Sequence, residues 1–185
     1  PLTCYIILIV FNLKIHWHNF RPLNKKTIIM ETNEKLIEVL NGLIEINHDR
    51  VNGYEKAIEE TKDLDVDLRA IFRSNADNSV HYASQLSNLV TGLGGTPADG
   101  TTNSGKLYRV WMDVKTTFTG HDRQSVLELC EYGEDAAQKA YKEALASDAE
   151  IDVNTRQLIT EQQSKLNAAH FIIKNYRDLH KVVNA

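Results

Sequence analysis

Apolar residues recur at steps of three and four along four long stretches of this chain, and no stretch shows the period of two that a half-buried strand requires. That spacing confines the chain to helices that each bury one face. The first run takes Leu36, Leu40, Leu43, Val51, Tyr54 and Ile58, with Asn47 filling a gap, and predicts a helix from Asn33 to about Thr61 capped by Thr32 or Asn33. The second takes Leu68, Ile71, Phe72, Tyr82, Leu86 and Leu89 behind Asp63 or Asp65 and stops at Gly92, Gly94 and Gly95. A third is predicted from about Asp122 to Ala146 through Val126, Leu127, Cys130, Ala137, Tyr141 and Leu145. The fourth, from about Val153 to Val182, carries Leu158, Leu166, Ala169, Ile172, Ile173, Tyr176 and Leu179. Gly42 and Gly53 inside the first helix each cost about 1 kcal/mol against Ala, which points to close helix approach.

Link lengths then set the topology. Lys62 to Asp65 and Ser147 to Asp152 are short, so each joins antiparallel neighbours. The middle link, Gly94 to Gly120, has about 26 residues and carries a short predicted helix, Lys106 to about Phe118, with Leu107, Val110, Trp111 and Val114. That is enough chain to travel the length of a bundle and set the third helix parallel to the second. With 42% apolar residues the chain can bury a single core.

Residues 1–29 differ in composition. They hold Lys14, Arg21, Lys25 and Lys26 and no acid, so the chain's net charge of −4 leaves −8 on residues 30–185. Their apolar run, Tyr5 to Phe11, falls far short of the roughly 18 residues a membrane span needs. It also lacks the basic start and small-residue cleavage site of a signal peptide. Residues 1–29 are therefore expected to be a leader, non-native or disordered, with Met30 as the natural start of a domain over 30–185. An acidic domain excludes a general nucleic-acid binder, and no membrane partner is expected. A single domain cysteine, Cys130, allows no disulfide framework and agrees with a cytoplasmic setting.

Each long stripe has one polar interruption near its middle: Asn47, Ser79, Glu134 and Gln162. In ferritin-like carboxylate bundles those places hold metal-binding glutamates, two of them followed three residues later by His. Here the second helix reads Ser79-Val80-His81, and the fourth offers Gln162 and Lys165, or Glu161 and Ser164 in the neighbouring register. Glu134 and Glu161 are the only metal-ligand candidates. Two divalent cations beside one or two carboxylates would leave net positive charge in low dielectric, so no cofactor is expected, iron or manganese being what a residual site would take. The four positions are read instead as a hydrogen-bonded polar core layer. His48, His81, His121, His170 and His180 share no ligand spacing. Cys130 reads as a packed thiol, the acids Glu55, Glu59, Glu60, Asp63, Asp65 and Asp67 as a solvated rim, and Tyr108 and Trp111 as packing over the bundle.

Four separated motifs occur in order: Leu-Ile-Glu-Ile-Asn-His-Asp-Arg-Val-Asn-Gly-Tyr-Glu-Lys-Ala (43–57), Gly-Gly-Thr-Pro (94–97) with Gly-Lys-Leu-Tyr-Arg-Val-Trp-Met-Asp-Val-Lys (105–115), Cys-Glu-Tyr-Gly-Glu-Asp-Ala-Ala (130–137) and Lys-Asn-Tyr-Arg-Asp-Leu (174–179). Over residues 31–180 the chain resembles an uncharacterised bacterial family of ferritin-like four-helix-bundle proteins, a domain of unknown function. The resemblance implies an all-α ferritin-like bundle and no assigned activity. The residues favour a non-enzymatic, self-associating protein, a homo-oligomer working through surface contacts in stress physiology. A metal-dependent oxidase or iron-handling protein with Glu134 and Glu161 as ligands stays open, as does a small-ligand pocket near Tyr54, Tyr82 and Tyr141.

Overall fold

The computed structural model of the protein describes residues 25–61, 65–102 and 123–183. The chain divides into two compact units, Pro1–Glu31 and Thr32–Ala185. Of the first, residues 25–31 are described, and they are helical. The expectations for residues 1–24, for the short helix at 106–118 with Tyr108 and Trp111, and for His121 lie outside the described residues.

Four helices and no strand occur among the described residues: α1 Lys25–Glu60, α2 Val66–Gly92, α3 Arg123–Leu145 and α4 Val153–Val183. α1 begins eight residues before the expected Asn33, because the stretch from Lys25 to Thr32 contains no Gly or Pro to stop it. Thr32 and Asn33 therefore lie inside α1 and cap nothing. α4 does start on a side-chain cap, the Asp152 carboxylate accepting from the amides of Asn154 (2.9 Å) and Thr155 (3.2 Å). Those bonds hold the Asp152 carboxyl below its usual range.

Cross-helix hydrogen bonds fix the directions. Tyr54 and Arg50 on α1 meet Asn75 and Ser79 on α2, so rising numbers face falling ones and the pair is antiparallel. Asn47 meets Tyr141 and Tyr54 meets Glu134, which makes α3 antiparallel to α1 as well. α2 and α3 are thus parallel. Arg123 at the start of α3 grips Asp65 (2.6 Å) and Asp67 (2.9 Å) at the start of α2, so the link between Gly92 and Arg123 begins and ends at opposite ends of α2, roughly 40 Å apart. α4 closes the bundle antiparallel to α3 through Tyr141–Gln162, Asp135–His170 and Glu131–Arg177.

The return path opens with residues 94–102 tied to α1. Asn41 holds it by both amide atoms, donating to the Thr96 carbonyl (3.1 Å) and accepting from the Ala98 amide (2.9 Å). Farther along, His48 pairs with the Gly100 carbonyl (2.8 Å) and Asp49 accepts from the Thr102 hydroxyl (2.7 Å). Two glycines make the departure from α2: Gly94 has φ +82°, and a Cβ on Gly95 would come within 2.9 Å of Ile37. Gly94→Ala is expected to lower stability by about 1–2 kcal/mol, the cost of left-handed backbone for an L side chain, read as a shift in urea midpoint. Gly42, by contrast, would meet nothing within 4 Å, so it marks no close approach.

The interior consists of two apolar clusters. Leu40, Leu43, Ile44, Leu86, Val90, Tyr141 and Ile159 belong to one, and Ala57, Leu68, Phe72, Leu127, Cys130 and Ile173 to the other. Burying each large member contributes about 1.5–3 kcal/mol. On α4 the buried row is Thr155, Ile159, Gln162, Leu166 and Ile173. Ile172 and Leu179, assigned to the core by spacing, are 42% and 64% exposed. α4 carries apolar residues on two faces, and the bundle takes only one of them.

Candidate functional site

On α1 the residues Leu36, Leu40, Leu43, Asn47, Arg50, Tyr54 and Ala57 alternate steps of four and three, so all of them face inward, and all are buried. Asn47, Arg50 and Tyr54 belong to a buried polar layer. α2 adds Asn75 and Ser79, α3 adds Glu134, and α4 adds Gln162.

Arg50 is the centre of this layer, its side chain 2% exposed beside Glu134 at 1%. One terminal guanidinium nitrogen, Nη2, donates to Glu134 Oε1 at 2.5 Å, and Nη1 donates to the Ser79 hydroxyl. Tyr54 donates to the same Glu134 oxygen and accepts from Asn75 Nδ2 at 3.1 Å. The Ser79 hydroxyl donates to the Asn75 carbonyl (2.9 Å). A second group lies alongside: Asn47 Nδ2 donates to the Leu43 carbonyl (2.7 Å) and the Tyr141 hydroxyl (2.8 Å), Tyr141 donates to Gln162 Oε1 (2.8 Å), and Gln162 donates to Gln85 (2.9 Å). All four helices are cross-linked at this level.

Charge in the layer is balanced, one guanidinium against one carboxylate, and this is what makes two buried ions tolerable. Burial works against the Arg50 charge, yet Glu134, with Tyr54 and Tyr141 adding to it, holds the guanidinium above its usual range. Burial, with Glu134 second, pushes the Tyr54 hydroxyl and the Cys130 thiol well up, and burial likewise raises Tyr141. These groups stay protonated at neutral pH, so Tyr54 can serve as donor and Cys130 is not a nucleophile. Besides Asn47 Oδ1, two buried atoms of the layer, Glu134 Oε2 and Arg50 Nε, have no hydrogen-bond partner among the described residues. A cavity of about 10 Å³ lined by Arg50, Gly53, Gly133 and Glu134 lies beside them, room for about one water molecule.

The structure therefore places Asn47, Ser79, Glu134 and Gln162 in the layer, 0 to 2% exposed, but in two hydrogen-bonded groups. It does not bring Glu134 and Glu161 together. Glu161 faces solvent and accepts from Gln157 (2.8 Å), while its neighbour Gln162 takes the inward position. Tyr54 and Tyr141 spend their hydroxyls within the layer, and Tyr82 is buried in the apolar cluster holding Leu86. Arg50 was missed. Its signal was present, three residues after Asn47 and four before Tyr54, where charge argued for the surface and Val51 was taken for the core.

A dimetal centre does not fit these residues. Arg50 puts a fixed positive charge against the one central carboxylate, and a cation on Glu134 would meet it at hydrogen-bond range in low dielectric. Among the described residues no three His, Cys, Asp or Glu side chains are grouped so as to hold a metal ion. Nor is any described helix long and apolar enough to cross a membrane.

A family model described as a domain of unknown function, DUF2383, matches residues 35–147, from α1 to the end of α3. No curated protein matches the chain. Among solved structures, the Desulfovibrio desulfuricans bacterioferritin, described with a diiron site, superposes with TM-score 0.69 at 21% identity, over 83% of this chain and 84% of its own. The dodecameric thioferritin of Bacteroides fragilis, a bacterioferritin-related protein, gives 0.66 at 16% identity, over 87% and 98%. A ferritin-like diiron-carboxylate protein from Bacillus anthracis gives 0.58 at 17%, over 80% and 96%. The fold is a ferritin-like four-helix bundle. These structures correct the expectation that no cofactor is involved: the bacterioferritin is described with a diiron site and the Bacillus anthracis protein as diiron-carboxylate, and the charge argument behind that expectation covered a single position in the bundle.

Proposed function

The chain belongs to the DUF2383 family, and on that premise we propose that it is a self-associating ferritin-like subunit that acts through surface contacts and not by turnover at its bundle centre. In this reading the place of a metal pair is taken by the Arg50–Glu134 ion pair, which with Ser79 ties α1, α2 and α3 in register. One observation carries it: the Arg50 guanidinium, buried to 2%, bridges Ser79 on α2 and Glu134 on α3. Iron, with which two of these solved structures are described, is not held at that layer in this reading. Support for self-association comes from the dodecameric thioferritin and from large apolar residues left in solvent, Phe171 at 63%, Leu179 at 64% and Val182 at 78%. The cytoplasm is the setting the reading assigns.

Iron bound per chain after aerobic loading, measured for the wild type and Glu134→Gln, tests the central part. Gln keeps the shape of the side chain, and far-UV circular dichroism checks that the bundle is intact. Equal iron in the two proteins is the expected result. Loss of iron confined to Glu134→Gln contradicts it.

A further inference from the structure

The core uses one face of α4, and the opposite face has an order of its own. Ser164, Ala168, Phe171, Asn175, Leu179 and Val182 follow one another at steps of four, three, four, four and three, and all six are exposed. At about 100° per residue they fall within an arc of about 80°, a seam narrow enough for one other helix. No residue on it is charged. A solvated helix face is expected to be charged or polar, so a seam holding Phe, Leu, Val and Ala with charges only at its edges is the pattern of a helix contact.

We infer that this seam is an interface with a second copy of the chain, two α4 helices packing antiparallel about a two-fold axis at Asn175. The inference rests on the self-association proposed above and names its surface. Three features of the sequence fit that symmetry and not an arbitrary partner. With Asn175 opposite itself, Phe171 meets the second copy's Leu179, four residues away on each side, so both large side chains find an apolar partner twice over. Seven residues out, the small Ala168 meets the second copy's Val182, which lets the bulkier residue in. Asn175 lies on the axis, where the two amides can donate to and accept from each other; one polar residue in an apolar seam sets register at some expense of stability.

Charge at the edge agrees. Lys174 and Asp178 flank the seam on the same side, both exposed, and Asp178 accepts from Arg177 of its own helix through Oδ1 alone (2.7 Å), which leaves Oδ2 for a second cation. The antiparallel arrangement brings Lys174 of one copy toward Asp178 of the other, and the symmetry repeats the pair.

The test uses the full chain, with sedimentation equilibrium over a range of concentrations to read the dissociation constant. Phe171→Glu and Leu179→Glu, both at solvent-exposed positions, are expected to keep the helical circular dichroism and to weaken assembly about thirtyfold or more, as removal of a central anchor does. Lys174→Asp and Asp178→Lys each weaken it a few-fold, and the double exchange restores it, an outcome that depends on the two residues meeting across the axis. A wild type that stays monomeric overturns both the self-association reading and this surface. An assembly that survives Phe171→Glu and Leu179→Glu unchanged overturns the surface alone. A monomer in which Phe171 is shielded from hydroxyl-radical labelling has some other segment over the seam, residues 1–24 for example, and overturns it too.

Discussion

Arg50→Met is expected to destabilise the protein by about 3–5 kcal/mol, one of the two largest effects of a single substitution considered for this chain. Methionine fills much of the same volume but supplies no charge, so Glu134 is left buried with only the Tyr54 hydroxyl as donor, and Ser79 keeps its bond to the Asn75 carbonyl but loses the guanidinium it accepts from. The penalty is that of an unpaired buried charge, not the worth of the pair. For that reason Arg50→Met combined with Glu134→Leu is expected to recover most of the loss, since an apolar layer of similar volume can be as stable as a buried ion pair. The measurement is chemical denaturation of the two single variants and the double variant at one fixed protein concentration, because assembly adds to apparent stability. A loss below about 1 kcal/mol for Arg50→Met would mean that the guanidinium is solvated and that the layer is not sealed.

Phe72→Ala is the second, at about 3–5 kcal/mol. Phe72 is 0% exposed in the cluster with Leu68, Leu127 and Ile173, and its ring lies 5.7 Å from that of Tyr54 at 34°. Truncation removes the buried ring and opens a cavity beside Tyr54, whose hydroxyl donates to Glu134. The effect therefore reaches the polar layer. Thermal unfolding monitored at 222 nm reads the loss, and the Tyr54 hydroxyl resonance reports whether its bond to Glu134 has loosened. Ordinary stability with an unchanged Tyr54 signal would show that the lower cluster collapses freely around the gap and does not support the layer.

Much of the architecture was legible in the sequence for a physical reason: helical burial has a period, and links have lengths. The steps of three and four located the helices, and the long connection from Gly92 to Arg123, set against two short ones, gave parallel α2 and α3. The start of α1 was not legible, because Thr32 and Asn33 are good caps that an uninterrupted helix simply runs through. α4 misled for another reason. A helix with apolar residues on two faces has no unique stripe, and only packing selects Ile159 and Ile173 over Leu158 and Ile172. Arg50 was hidden by its type, since an arginine at a core position becomes reasonable only once its carboxylate is known to lie across the bundle, 84 residues away in sequence. The expectation about cofactors overreached in the same way, turning a charge argument about one layer into a statement about the whole protein.

The central claim is that an ion pair occupies the place in this bundle where two metal ions would otherwise be held. Crystals of the protein soaked in ferrous iron, measured at the iron absorption edge, test it most directly. The account predicts an anomalous map without a peak among Arg50, Ser79 and Glu134, with the guanidinium still on the carboxylate, whatever iron is found elsewhere. Two peaks about 3.5–4 Å apart beside Glu134, with Arg50 swung away, would contradict it.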